Sequence, residues 1–295
     1  MRRAAGILGL ALAACMPDAQ DAAWEPAAGI PPPLTPEVFS PYPAPPPADH
    51  LRVVSFNVEL GADVERLAAA IADAPAIAGA DVFLLQEIED HPGEGGSRTA
   101  QLATRLALNY AYAPARVEGD GTHGLAILSR FPLADVEVMR LPHVDQTFHT
   151  RDRIALAADL VLGDARLRVV DVHLDTRINI TDRIVQMHPA VIDLPARVVV
   201  GGDFNVNPYV WLGHVVPLVT ADAITGFEQA VVFEDYMRDQ GFASPTSTSG
   251  PTESNGLTDL RLDAIYPRGV TPGAIGVVRE VQVSDHVPLW LDVAL

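Results

Sequence analysis

The chain has 295 residues, and its 38 acidic against 20 basic side chains give a formal charge of −18, with every basic residue an arginine. A field of that sign opposes approach to polyanions and argues mildly against an enzyme that tracks along nucleic acid, although local arginines with a bound metal still admit a phosphodiester. The single cysteine, Cys15, excludes an internal disulfide.

The N-terminus reads as a targeting segment. Arg2 and Arg3 precede an apolar run from Ala4 to Ala14 that is shorter than the about 20 residues a membrane-spanning helix needs. Leu12-Ala13-Ala14-Cys15 resembles a bacterial lipoprotein signal cleaved before a cysteine that then carries the lipid. An ordinary secretory signal with an incidental cysteine is the alternative. Pro31-Pro32-Pro33, Pro41, Pro43 and Pro45-Pro46-Pro47 follow, and such a segment is extended and cannot bury a core. The expected organisation is therefore a signal peptide over 1–14, a lipid-anchored proline-rich linker over 15–49, and one domain over 50–295. The expected location is exported and membrane-anchored, in the periplasm, at the outer membrane or at the cell surface.

From Leu51 to Val58 the alternation predicts a strand, and Val64, Leu67 and Ile71 predict a helix over Ala62–Ala74. A buried strand is expected from Asp81 to Leu85, a helix from Ser97 to Leu108, and strands at Leu125–Leu128 and Ala134–Val138. Ile154–Leu162 and Ala165–Leu174 read as a hairpin about Gly163-Asp164. A helix from Asn179 to Ile192 is perturbed at His188-Pro189, since proline removes a donor. A strand at Val198–Phe204 and a helix at Glu228–Gln240 come next. Ala243–Thr258, rich in Ser, Thr, Pro and Gly, reads as loop, and strands are expected at Leu260–Tyr266, Gly276–Val283 and Val287–Val293. Early strands separated by helices and later hairpins fit two packed mixed sheets with helices outside.

Five segments end predicted strands with residue types suited to phosphate-ester hydrolysis. They are Ser55-Phe56-Asn57-Val58-Glu59, Leu84-Leu85-Gln86-Glu87, Asp171-Val172-His173-Leu174-Asp175, Gly201-Gly202-Asp203-Phe204-Asn205, and Arg261-Leu262-Asp263 with Ser284-Asp285-His286. Together they supply hard oxygen ligands, two imidazoles and two amides, which a metal-assisted attack of water on phosphorus needs. Glu87 follows Val82-Phe83-Leu84-Leu85; a carboxylate near buried surface is costly, and a cation removes that cost. An ordinary strand-end glutamate is the alternative. Asn57 is a neutral oxygen donor, and Glu59 offers another oxygen or is solvated. The i,i+2 spacing of Asp203 and Asn205 aims both to one side of an extended strand, and Gly201-Gly202 allows close approach of backbone to substrate. His286 is the candidate proton acceptor, since imidazole suits acid–base work near neutral pH. With no cysteine site, this donor set favours Mg²⁺ or Mn²⁺ over zinc.

In that order the segments resemble the endonuclease/exonuclease/phosphatase superfamily, over about Leu51 to Leu295, with Gly-Asp-Phe-Asn and Ser-Asp-His the most specific parts. The resemblance implies an α/β (α+β) four-layer sandwich of two packed mixed sheets flanked by helices. It implies that Asp203 orients or activates water and that Asn205 helps hold water or phosphate. It further implies that Asp263 fixes the tautomer of His286 and that Asp285 joins Asn57 and Glu87 as a metal ligand. The strand carrying His173 resembles the sphingomyelinase, secreted DNase and inositol-phosphatase branches; a core histidine paired with Asp171 is the alternative. His123-Gly124 opens a family-like stretch, and Arg183 and Gln186 resemble a structural pair. Arg153 or Arg130 is the expected bidentate clamp on phosphate, with solvated arginines as the alternative. Tyr209, Val210, Trp211 and Leu212 either dip into lipid or pack on the body. The expected protein is a monomeric, membrane-tethered phosphodiesterase with no evident protein partner, acting on a phospholipid-like, nucleotide or nucleic-acid ester. A phosphomonoesterase of inositol-phosphate type, a nuclease proper and a catalytically idle binding lipoprotein are the alternatives.

Overall fold

The structure, a computed structural model, describes residues 35–46, 50–146, 151–219, 228–254 and 258–295. The expected signal segment, Cys15 and the first proline cluster lie outside the described residues. In chain order the elements begin with β1 (Glu37–Phe39), β2 (His50–Leu60), α1 (Val64–Asp73), β3 (Val82–Asp90), α2 (Arg98–Leu106), β4 (Asn109–Glu118), β5 (Gly121–Ser129) and β6 (Leu133–Arg140). They continue with β7 (Ile154–Leu162), β8 (Ala165–His173), α3 (Ile180–Met187), β9 (Val198–Asp203), β10 (Tyr209–Leu212), β11 (Val216–Val219) and α4 (Glu228–Asp239). The last are β12 (Glu253–Ser254), β13 (Asp259–Leu260), β14 (Asp263–Arg268), β15 (Thr271–Val277) and β16 (Leu289–Ala294).

Two sheets form the body: a seven-stranded one ordered β1-β4-β5-β3-β2-β16-β15 and a five-stranded one ordered β14-β9-β8-β7-β6. Both faces of each sheet are covered, so the central strands read as near-continuous apolar runs. On β2, Val53 points between the sheets with Leu84, Leu156 and Val199, whereas Val54 and Phe56 point outward against Leu67, Ile71 and Leu102 of the first two helices. The second sheet repeats this, with Val170, Val172 and Val200 facing Met187, Phe233 and Met237. The result is the expected four-layer arrangement of helices, sheet, sheet and helices. Asp63 and Ser97 cap α1 and α2 by accepting from the backbone N–H of Arg66 and Ala100.

The structure departs from the sequence expectations in five places. Residues 37–42, read as spacer, join the body: β1 pairs with β4, and the Tyr42 N–H donates to Asn109 Oδ1 at 2.9 Å. Strand β4 was not expected, because its inward positions Ala111, Ala113 and Ala115 are too small to give a strong apolar signal. The hairpin of β10 with β11 was not expected either. Strand β15 lies earlier than Gly276–Val283, since Val278 and Val281 leave the ladder to pack against the outer cluster beneath α1. In the segment read as loop over 243–258, the described residues 243–254 are pinned from inside. Thr252 Oγ1 accepts the N–H groups of Leu262 and Asp263, both at 3.1 Å, and Thr246 Oγ1 accepts that of Ile265 at 3.0 Å.

Candidate active site

Strand direction decides which residues meet. β8 and β9 are parallel, so His173 and Asp203 end side by side, and antiparallel β14 begins opposite with Asp263 in register with Asp203. In the other sheet β2 and β3 are parallel and pair Asn57 with Gln86, while antiparallel β16 enters beside Ser55 just after His286. All five segments therefore deliver their polar residues to one end of the sandwich. Gly202 serves this packing: a Cβ there would lie 1.9 Å from the Val172 carbonyl oxygen, and one on Gly201 would lie 2.7 Å from Leu84 Cδ1. The two glycines let β9 approach β8 and the facing sheet, rather than bringing backbone to substrate as expected.

Irregular backbone clusters here. The ladders slip between Asn57 and Leu60 and between Gln86 and Ile88, and Glu59, Leu60, Glu87 and Asn205 all have positive φ, from 45° to 70°. Non-glycine residues hold that conformation only where their surroundings impose it, and such sites gather at functional centres. The bulge turns Glu87 away from the ladder toward His173, whose Nε2 lies 3.7 Å from Glu87 Oε1.

Asp203 is the hub. Its Oδ2 accepts from Asn57 Nδ2 at 3.2 Å and lies 3.6 Å from His173 Nε2 and 3.7 Å from His286 Nε2, and its Oδ1 accepts the Asn205 N–H at 2.9 Å. His286 Nδ1 meets Asp263 Oδ2 at 2.8 Å. Ser284 Oγ donates to the Asn57 carbonyl at 2.8 Å and accepts the His286 N–H at 3.1 Å, which ties the Ser-Asp-His turn to β2. The Asp285 N–H donates to Glu59 Oε2 at 3.1 Å. Asp203, His173, Asp263 and His286 are each at most 4 % exposed.

Burial drives the charge states. It pushes the Asp203 carboxyl up to about 7, with nearby His286 opposing. Burial also pulls on His286, but the Asp263 carboxylate, then Asp203, outweigh it and hold that imidazole well above its usual value. His173 is forced well below its usual value by burial and then by Arg153, so it is neutral. Asp171 does not pair with His173: it accepts from Gln86 Nε2 at 2.6 Å between the sheets, and burial raises its carboxyl well above the usual range. Glu59 is raised by burial and next by Asp285. Asn57, Glu59, Glu87 and Asp285 gather hard oxygens on one side of the hub. Among the described residues no three His, Cys, Asp or Glu side chains form a metal cage by themselves.

The two candidate arginines part company. Arg153 is buried, donates from Nε to Asp175 Oδ1 at 2.8 Å, and shares with His173, His123 and Arg116 the wall of a cavity that holds about one water. Asp175 is fixed in turn by Gln186, while Arg183 bonds the carbonyls of Asp175 and Phe204, so that pair is structural as expected. Arg130 is not at the site. It follows the opposite end of β5, half exposed and 3.5 Å from Asp81, level with a residue six positions before Glu87 and so about 20 Å away at strand rise. As a phosphate clamp it is corrected.

Next to the hub lies a cavity of about 100 Å³ lined by Asp203, His286, Tyr209, Trp211 and Leu262 among others. Tyr209 and Trp211 pack inward, whereas Val210 and Leu212 face outward, 39 % and 64 % exposed. Five lining residues were not foreseen as part of the site: Thr176, Arg177, Asn207, Glu253 and Leu260. Glu253 is pushed up to about 7 by burial, with His286 opposing. It sits in a segment without periodicity, so no local signal marked it.

The Endonuclease/Exonuclease/phosphatase family profile matches residues 54–286. No curated protein matches the chain. A family protein from Leptotrichia buccalis C-1013-b superposes with a TM-score of 0.62 at 14% identity, covering 83% of this chain and 100% of that one. Humanized D. rerio TDP2 gives 0.57 at 19% identity, covering 84% and 100%. ANGEL2, a 2',3'-cyclic phosphatase, gives 0.58 at 16% identity, covering 83% and 95%. At these identities the structures establish a shared fold.

Proposed function

Starting from a chain that belongs to the endonuclease/exonuclease/phosphatase family, we propose that it is a divalent-metal-dependent phosphodiesterase. The observation that carries this reading is the buried Asp203 carboxylate with an imidazole 3.6–3.7 Å away on either side and Asn57 donating to it. Glu87, Asn57 and Asp285 are the residues that would hold Mg²⁺ or Mn²⁺. Their hard oxygens and crowded like charges suit such a cation, and the chemistry it supplies when bound is neutralisation of charge on the phosphoryl oxygens.

The side chains then divide the proton work. Asp203, whose carboxyl burial pushes up to about 7, would orient the attacking water and take its proton. His286, kept charged by Asp263, is placed to donate to a phosphoryl or leaving-group oxygen. Read from the sequence, His286 has the opposite role, that of proton acceptor. Neutral His173 presents Nε2, without a hydrogen-bond partner among the described residues, as a further donor. The strongly acidic chain favours diesters of small or phospholipid-like alcohols over nucleic acid. Anchoring through a lipidated Cys15 belongs to the same proposal. Its test is Cys15→Ser, which releases the protein from the membrane fraction; a wild-type protein that is wholly soluble and carries no lipid mass overturns the anchor alone.

Hydrolysis of bis(p-nitrophenyl) phosphate by the purified chain tests the activity. The expected result is turnover with Mg²⁺, none in EDTA, and recovery on adding Mg²⁺ back. Full turnover in chelator overturns the metal dependence, and no turnover with any divalent cation overturns the diesterase.

A further inference from the structure

The cavity beside the hub is lined by four carboxylates, Glu87, Asp203, Asp285 and Glu253. Three have a role in the proposed reaction: Glu87 and Asp285 would hold the metal, and Asp203, which lies between two imidazoles, would orient the water. Glu253 has none. Its backbone bridges antiparallel to His286, with the Ser254 N–H on the Asp285 carbonyl and the Val287 N–H on the Thr252 carbonyl. The residue is thus locked to the catalytic turn. It is 5 % exposed, and its Oε2 is buried without a hydrogen-bond partner among the described residues. The guanidinium of Arg177, also at this cavity, lies 6.0 Å over the Trp211 ring and forms no ion pair with Glu253.

A buried carboxylate left without a cation or donor is costly when ionised, and a positively charged ligand removes that cost. The neighbouring walls say which kind. Tyr209, Trp211, Leu260 and Leu262 offer aromatic faces and aliphatic surface, the wrong company for a second Mg²⁺, which takes oxygen ligands and keeps its waters. They suit an organic ammonium, since aromatic faces attract cations and aliphatic walls take its methylenes. The volume, about 100 Å³, is several times the roughly 10–15 Å³ that one water needs on the same measure, which leaves room for a short organic arm.

Resting on the phosphodiesterase reading, we propose that Glu253 forms a subsite for a primary ammonium carried on a short arm of the substrate alcohol, next to the reacting phosphate. The full chain with Mg²⁺ is assayed on 2-aminoethyl p-nitrophenyl phosphate and propyl p-nitrophenyl phosphate, which share size and leaving group and differ in the ammonium. The wild type is expected to prefer the amino ester in kcat/KM by about tenfold or more, the size of one charge-assisted hydrogen bond. In Glu253→Gln the ratio should fall to about one, chiefly through KM. A ratio that is the same in both proteins overturns the subsite. Calorimetry with O-phosphoethanolamine and propyl phosphate gives a readout independent of turnover. The amine should bind more tightly to wild type and lose that advantage in Glu253→Gln; equal binding of both ligands to wild type overturns the proposal. A Mg²⁺ titration in which Glu253→Gln loses metal affinity assigns the carboxylate to a metal and overturns it too. If neither diester turns over, the diesterase reading fails while the calorimetry still decides the subsite.

Discussion

Strands β2 and β3 have charged residues at both ends, and the two ends differ in what surrounds those charges. At the start of β3, Asp81 and Arg130 face each other at 3.5 Å with Arg130 48% exposed, and Arg52 holds Asp292 through two hydrogen bonds of 2.7 and 2.8 Å at a partly buried position. At the far end, Asp203, His173, Asp263 and His286 are at most 4 % exposed. Water screens the Asp81–Arg130 pair, and such a pair contributes little. The second set has lost its water, so each charge shifts its neighbours: Asp203 rises to about 7, His286 is held charged and His173 neutral. The same residue types become chemically useful at the end where the two sheets, the Ser-Asp-His turn and the pinned 243–254 segment shut out solvent.

Substitutions at the two ends should separate them sharply. The largest effect is expected from His286→Ala and Asp203→Ala, each lowering kcat on bis(p-nitrophenyl) phosphate by about 10² to 10⁴-fold. The double variant should be barely worse than the poorer single, because the two groups act as a unit. Circular dichroism checks that both remain folded, and near-wild-type turnover in either would remove it from the mechanism. Next, Glu87→Gln should raise the Mg²⁺ concentration for half-maximal rate by roughly tenfold, with excess Mg²⁺ restoring most of the activity. Unchanged metal dependence would reassign that ligand.

Asp171 sharpens the comparison from the core between the sheets. Its carboxyl is raised by burial, so the folded protein keeps a proton that the unfolded chain loses near pH 3.9. Its contribution to stability is fully present below that value and is lost as pH rises toward the folded-state pKa, by at most about 1.4 kcal/mol per pH unit. Asp171→Asn should lack this loss, so urea midpoints of variant and wild type should diverge in favour of the variant between pH 5 and 8. Parallel midpoints would mean that Asp171 is ionised in the fold. The smallest effect is expected at the open end. Arg130→Ala should change stability by under about 0.5 kcal/mol, the partner being a screened surface pair, and leave kcat/KM at the wild-type level. A large loss of activity there would return Arg130 to the site.

Asn57, Glu87, His173, Asp203 and Asn205 stand out in the sequence because each closes a mostly apolar run, whereas Asp263, which opens β14, Asp285 and His286 stand out only through an order that resembles a known family. Arg130 was misplaced for the same reason: it also ends an apolar run, Leu125 to Ser129, and nothing in the sequence distinguishes the two ends of an antiparallel strand. Strand β4 escaped because alanines fill its inward face. Glu253 escaped because its burial comes from contacts with the Ser-Asp-His turn rather than from its own segment.

The order and type of the strand-ending residues, the apolar periodicity of the helices and the two-sided burial of the central strands are local properties, and the chain alone determined them along with the fold class. Which ends meet depends on strand direction and register: parallel β8 and β9 put His173 beside Asp203, and antiparallel β14 returns Asp263 opposite. Protonation is further still from the sequence. The ionisation of a carboxyl or imidazole depends on how much water surrounds it and which charges lie within a few ångströms. For Asp203, His286 and Glu253, those surroundings exist only once the two sheets and their loops have closed around them.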